Sequence, residues 1–258
     1  MGGKMTERAK ITIIIPAFNE ERNIRDCLES AKWADEVFVV DSFSTDGTLE
    51  IARSFGARIV QHEYVNSAAQ KNWAIPQATH PWVMILDADE RIPVALRDEI
   101  LEILSRDGGG CDGFRIYRIN HFMGKQIRHC GWNRDHVLRL FRRDKGRYLD
   151  REVHADVVID GRVRFLKNKL MHFTFASMEQ FLKKMDRYTG WAAGDRGRHT
   201  KKVRWRHLAL RPAFRFFRQY ILQLGFLDGT EGLILCLLAS YSVFLKYAKL
   251  YERLKNKP

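Results

Sequence analysis

Residues 11–41 read ITIIIPAFNEERNIRDCLESAKWADEVFVVD. Ile11 to Ile15 is a β-branched run closed by Pro16, the pattern of a short strand buried on both faces of a parallel sheet. Ile24, Cys27, Leu28 and Ala31 recur at helical spacing, and Val37 to Val40 is a second apolar run that ends at Asp41. Working outward, Asp46-Gly47-Thr48 opens a helix whose Thr48, Ile51, Ala52 and Phe55 share one face, and Gly56 stops it. Ile59-Val60 is a third strand, and Val83 to Leu86 a fourth that ends at Asp87. The alternation predicts an α/β fold: a mostly parallel open sheet flanked by helices. Such sheets bind ligands beyond the carboxyl ends of their strands. Asn19, Glu20, Asp41, Asp87 and Asp89 all fall at that edge.

From Gly113 onward the texture changes to short β runs, residues 114–119 and 137–141 among them. Asp160-Gly161 predicts a hairpin turn between Val157–Ile159 and Val163–Leu166. Ser177 with Gln180 predicts a capping box ahead of a helix carrying Phe181, Met185 and Tyr188. In the tail, Leu210, Phe214, Phe217, Ile221 and Leu224 line one helical face while Arg211, Arg215 and Arg218 line another. The uncharged stretch Gly232–Leu245 is shorter than the roughly 18 apolar residues wanted for a bilayer span.

The charge is unevenly distributed. Residues 160–258 carry 21 Lys and Arg against 7 Asp and Glu, a net +14 within a chain total of +13. An anionic partner is implied for that half: a membrane, a nucleic acid or an acidic substrate. No zinc module, RNA-recognition signature or basic zipper supports nucleic acid; the cationic amphipathic pattern favours an anionic membrane surface, the other reading being that the aromatic face packs as core against the sheet domain or a second subunit. The four cysteines (Cys27, Cys111, Cys130 and Cys236) form no Cys-x-x-Cys pair, which suits a reducing cytoplasm. The start is polar until Ile11 and has no secretory pattern.

Asp87-Ala88-Asp89 directly after a strand places two carboxylates one residue apart on a turn. Such a pair can share Mg²⁺ or Mn²⁺, which prefer oxygen ligands and substrate phosphates. An isolated Asp-x-Asp is more often a solvated turn. Here the same edge carries Pro16-Ala17-Phe18-Asn19-Glu20 and Asp41, the latter placed to accept hydrogen bonds from a uracil or ribose. No Gly-x-Gly-x-x-Gly follows the first strand, which disfavours a dehydrogenase.

"ITIIIPAFNEE", "VVDSFSTDGT", "AAQKNWAI" and "ILDADE", in this order, resemble family 2 glycosyltransferases of the GT-A fold. The similarity is greatest to the branch of lipopolysaccharide core β-1,4-glucosyltransferases, and it continues through "GWNRDHVLRLFRR", "REVH", "LMHFTFASMEQFLKKMDRYTGWAA" and "FLDGTEG". The resemblance implies a nucleotide-sugar-binding catalytic domain over residues 1–175 and a helical, basic, membrane-associating region over 176–258. It implies that Pro16, Ala17, Asn19 and Glu20 floor the nucleotide pocket and that Asp41 holds the uracil or ribose. Gln70, Lys71 and Asn72 match a loop closing over the nucleotide. Asp87 and Asp89 match the metal pair, Asp89 being the more direct ligand, and His172 completes the metal site. The implied reaction inverts the anomeric carbon of a UDP-sugar, with glucose the sugar and a hydroxyl of a lipid-linked saccharide, such as a lipopolysaccharide inner core, the acceptor. The implied place is the inner face of the cytoplasmic membrane.

Relatives carry an acid pair or a Val-His-Glu triplet where this chain has Arg151-Glu152-Val153-His154-Ala155-Asp156. Ala155 replaces the triplet's acid, so Glu152 and Asp156 are both candidate bases, with Asp135 behind them. Two other readings stand beside this one. A polyprenyl-phosphate glycosyltransferase would need no strong base, and a non-catalytic nucleotide- or nucleic-acid-binding protein would keep the site without turnover.

Overall fold

The computed structural model describes residues 8–149, 156–174 and 178–256. In chain order the first half runs β1 (Ile11–Ala17), α1 (Glu21–Ala31), β2 (Glu36–Asp41), α2 (Thr48–Ser54), β3 (Arg58–Gln61), α3 (Ser67–Ala74), β4 (Trp82–Ile85), β5 (Glu90–Arg91) and α4 (Val94–Ser105). The second half runs β6 (Gly113–Phe122), β7 (Lys125–Gln126), β8 (His136–Arg142), β9 (Gly146–Tyr148), β10 (Val157–Ile159), β11 (Val163–Phe165), β12 (Leu170–Phe173), α5 (Met178–Gly197), α6 (Trp205–Leu208), α7 (Leu210–Phe217) and α8 (Gly229–Lys255). The chain divides into two compact units, Met1–Arg118 with His136–His172 and Ile119–Asp135 with Phe173–Pro258.

In the first unit β3, β2, β1 and β4 pair in parallel, as their apolar runs predict. β8 then joins β4 antiparallel, with Met84 opposite Leu140, and β6 joins β8 antiparallel, so the sheet is mixed. Alternation along β1 divides the core. Ile11, Ile13 and Ile15 pack with Ile24, Leu28, Leu96 and Ile100 on one face, whereas Ile14 packs with Phe38, Val83, Ile85 and Ala74 on the other. Each such side chain contributes about 1.5–3 kcal/mol relative to an exposed one. All four predicted core positions of α1, Ile24, Cys27, Leu28 and Ala31, are buried.

The hairpin expected at Asp160-Gly161 does not form. β10 pairs antiparallel with β9, while β11 pairs parallel with β6. Tertiary hydrogen bonds separate the two strands. Asp160 N–H donates to Lys145 O at 3.0 Å, and Arg162 N–H donates to Asp112 Oδ2 at 3.0 Å. The capping box at Ser177 lies outside the described residues.

In the second unit, the turn ahead of α8 is organised by Asp228. Its buried carboxylate accepts from the N–H groups of Arg128 and His129 at 3.1 and 2.8 Å. Gly232 is required there, because a Cβ would stand 2.2 Å from Gly225 O. These contacts give "FLDGTEG" a structural account. α8 packs Leu235 and Cys236 with Phe122, Cys130 and Phe216, and Tyr247 and Leu250 with Ala193 and Val203. Residues Gly225–Lys255 are helical over 31 residues and are long and apolar enough, by length and composition, to cross a membrane. The uncharged stretch read from sequence is only the middle of that helix. Leu210, Phe214, Phe217, Ile221 and Leu224, expected on one helical face, are all exposed.

Candidate active site

The carboxyl ends of β1 and β2 are tied together by their own polar residues. The register sets Ala17 beside Asp41. Asp41 is buried, and its carboxylate accepts from Ser44 N–H at 2.9 Å, from the Ser44 hydroxyl, and from Gln61 Nε2 at 3.1 Å. Asn19 adopts a left-handed conformation (φ 54°). Its N–H donates to Ser44 Oγ at 2.9 Å and its Oδ1 accepts from Thr45 N–H at 2.8 Å. Glu20 N–H donates to Thr48 Oγ1 at 2.8 Å, and the Glu20 carboxylate accepts from Asn23 at 2.8 Å. Asp46 closes the turn ahead of α2. Burial opposes its charge, yet hydrogen bonds from Thr48 and from Glu21 N–H hold its carboxyl below the usual carboxylate range.

Gln70, Lys71 and Asn72, expected in a loop, lie on α3. The helix forms because Asn66 caps it, Oδ1 accepting from Ala69 N–H at 2.8 Å, and because Ala68 and Ala74 bury one face. The three consecutive side chains fan out to different partners. Gln70 donates to Ser42 Oγ at 2.6 Å, Asn72 exchanges hydrogen bonds with the Tyr148 backbone at 2.8 and 2.9 Å, and Lys71 Nζ lies 2.9 Å from Asp87 Oδ1.

Asp87 is the centre of the arrangement. Its other oxygen meets the Arg139 guanidinium, which also lies 2.8 Å from Glu90 Oε1. Glu90, fully buried, takes Arg118 at 3.3 Å and the Asp87 N–H at 3.0 Å. Lys71 and Arg139 are themselves buried. Burial alone would raise the Asp87 pKa, but Arg139 and Lys71 hold its carboxyl well below the usual carboxylate range. Burial likewise opposes the Lys71 charge, and Asp87 overrides it to push the ammonium up. Asp87 is thus an ionised carboxylate locked between two cations.

Asp89 stands differently. β12 pairs antiparallel with β5, setting His172 opposite Glu90, and His172 Nε2 lies 3.5 Å from Asp89 Oδ2. Among the described residues no group of three or more His, Cys, Asp or Glu side chains comes together as a metal cage. The structure therefore joins Asp89 to His172 and turns Asp87 toward Lys71 and Arg139. Of the candidate bases, Glu152 lies outside the described residues. Asp156 is exposed, immediately before β10. Asp135 accepts from Asn120 Nδ2 at 2.9 Å within the second unit.

The glycosyl transferase family 2 model matches residues 12–161, more than half of the chain. The chain belongs to glycosyl transferase family 2. A Rhizobium meliloti protein named lipopolysaccharide core biosynthesis glycosyltransferase LpsC is 31% identical over 98% of this chain and 97% of its own. An uncharacterized glycosyltransferase of Rickettsia typhi is 28% identical over 94% of this chain and 87% of its own. Among solved structures, the mannosyltransferase PcManGT of Pyrobaculum calidifontis, in complex with GDP-Man and Mn²⁺, superposes with a TM-score of 0.50 at 19% identity. That match covers 98% of this chain and 77% of the other, and it shows the GT-A-like fold.

Two members of this charged cluster escaped the sequence reading, Arg139 and Glu90. Each carried a signal. Arg139 interrupts the apolar strand between Leu138 and Leu140, and Glu90 ends the quoted "ILDADE". A charge buried inside a strand needs an opposite partner, but the sequence does not name it.

Proposed function

We propose that this family 2 glycosyltransferase moves a sugar, glucose in our reading, from a UDP-sugar to a hydroxyl of a lipid-linked saccharide at the inner face of the cytoplasmic membrane. The observation that carries the reading is the Lys71–Asp87–Arg139 cluster at the carboxyl edge of β4, beside the Asp89–His172 pair. The Asp89–His172 pair at this edge suits a cation that meets a diphosphate, and the strand-end loops of Asn19 and Asp41 suit its nucleoside. The identity to the relative named for lipopolysaccharide core biosynthesis supports the acceptor class.

One carboxylate and one imidazole suit Mg²⁺ or, better, Mn²⁺, and water and substrate phosphate would have to supply the other ligands. Asp89 and His172 would hold the ion, with Asp87 fixed behind them. When bound, it supplies positive charge to the departing diphosphate. In the displacement, the acceptor oxygen bonds to the anomeric carbon as that carbon's bond to the phosphate oxygen breaks. The diphosphate leaves with the electron pair, and the hydroxyl proton passes to a carboxylate, for which Glu152 and Asp156 are the candidates. Lys71 and Arg139 keep Asp87 ionised and oriented throughout.

The first unit would then bind the nucleotide sugar and the second would meet the membrane. α8 packs on α5 and α7 through its own core residues, an arrangement that suits lying at the interface. Screening nucleotide sugars for release of free nucleoside diphosphate tests the reading. Release from a UDP-sugar should require Mg²⁺ or Mn²⁺ and stop with EDTA. No turnover of any donor with any metal, even with membrane extract as acceptor, removes it.

A further inference from the structure

Three elements of the second unit gather cations around one buried ring. Tyr247 on α8 is 2% exposed. The Arg211 guanidinium carbon lies 5.2 Å from its ring centroid, and Arg211 Nη1 donates to its hydroxyl. Lys246 Nζ lies 5.0 Å from the same centroid, and the His207 ring stacks on it at 5.2 Å.

Of the acids on α5 and α8, Glu179 is paired with Lys183, Asp186 with Lys249, Asp195 with Arg198 and Glu231 with Lys125, and Glu252 is exposed. Among the described residues, Arg196, Arg211, Arg215 and Lys246 make no ion pair with a carboxylate. Their surroundings register this. Burial first, then Arg196, Arg211 and Arg215, push the Lys246 ammonium below its ordinary value. Burial first, then Arg211, Arg206, Arg196 and Arg204, do the same to His207. Like charges held together without an acid cost free energy, and a docking anion removes that cost. On α7, Phe214 and Phe217 interleave with Arg211 and Arg215 in sequence and stand 62% and 49% exposed.

We propose that Arg211 and Lys246, with Arg215 one turn along α7 from Arg211, form a phosphate-recognition site for the headgroup of an anionic membrane lipid, with Phe214 and Phe217 seated in the bilayer interface. The recognised chemistry is a phosphate ester. A bilayer lipid is the source that the neighbouring exposed aromatics select. The inference deepens the membrane part of the proposed function and rests on that reading for the source of the phosphate.

The test sediments the full chain with vesicles of phosphatidylcholine alone and with vesicles that also contain phosphatidylglycerol, at one ionic strength. The wild type is expected on the anionic vesicles. Arg211→Gln/Lys246→Gln should bind them about tenfold more weakly than Lys201→Gln/Lys202→Gln, which removes the same charge from two exposed side chains. Replacing chloride by inorganic phosphate should raise the thermal midpoint of the wild type and leave that of the Arg211/Lys246 variant unmoved. Arg215→Gln, at an exposed position, repeats the comparison if the double variant does not fold. Equal loss in the two double variants, or equal stabilisation of wild type and variant by phosphate, overturns the site. Stabilisation by phosphate without vesicle binding overturns the lipid as its occupant. Nucleotide release by the wild type, measured alongside, tests the transferase reading separately and leaves the binding comparison intact.

Discussion

At the sheet edge of the first unit, charge is buried in compensated groups: Asp87 lies between Lys71 and Arg139, and Glu90 between Arg139 and Arg118. On the helices of the second unit, Arg211 and Lys246 lie against Tyr247 and, among the described residues, neither meets a carboxylate. The first arrangement is complete within the chain. Its low dielectric strengthens each pair, and removing one member leaves a charge stranded. The second, on the inference drawn above, takes its counter-charge from an outside anion. The difference separates a region whose charges hold one another in place from one whose cations meet no carboxylate among the described residues.

The largest effect that sharpens this contrast is expected from Asp89→Ala. It should lower sugar transfer about a thousandfold or more while circular dichroism and the thermal midpoint stay near wild type, and normal turnover by this variant would sink the proposed metal role. Next comes Arg139→Met, which leaves Asp87 with Lys71 alone and Glu90 with Arg118 alone. A loss of about 3 kcal/mol in denaturant unfolding is expected, and an unchanged unfolding midpoint would break the account of a compensated cluster.

Glu36 probes the same principle by pH. Burial opposes its charge, but the Thr12 hydroxyl, Thr79 N–H and Arg58 bring its pKa from 4.5 to about 2. A depressed carboxylate supplies stability that is complete above its unfolded value and is lost as pH falls through the folded one. Glu36→Gln should therefore cost about 2 kcal/mol near neutrality, with the difference from wild type closing between pH 4.5 and about 2. The smallest effect belongs to the second unit. Arg211→Gln/Lys246→Gln should move the thermal stability by less than about 1 kcal/mol, because relieved repulsion offsets lost cation–π contact.

Residues with a short-range pattern were legible. The strands β1, β2 and β4 follow from apolar runs, α1 from its spacing, and Asp87 and Asp89 from their place after a strand. Partners contributed by distant elements were not. Lys71 reaches Asp87 from a helix that reads as a loop, and Arg139 arrives on an antiparallel strand. The Asp160-Gly161 turn shows the same limit, since its chemistry suits a hairpin but bonds to Lys145 and Asp112 send the two strands to different partners.

The sequence by itself determined the parallel α/β half, the edge that carries its carboxylates, the family, and the basic asymmetry of the tail. Those depend on period, composition and local order, which a linear chain displays. Only the tertiary structure decided that Asp87 is clamped by two cations, that Asp89 keeps company with His172, and that the aromatic face of α7 stays exposed beside unpaired arginines. These depend on which distant side chains share a low-dielectric space, and the strength of a charge there is set by its neighbours.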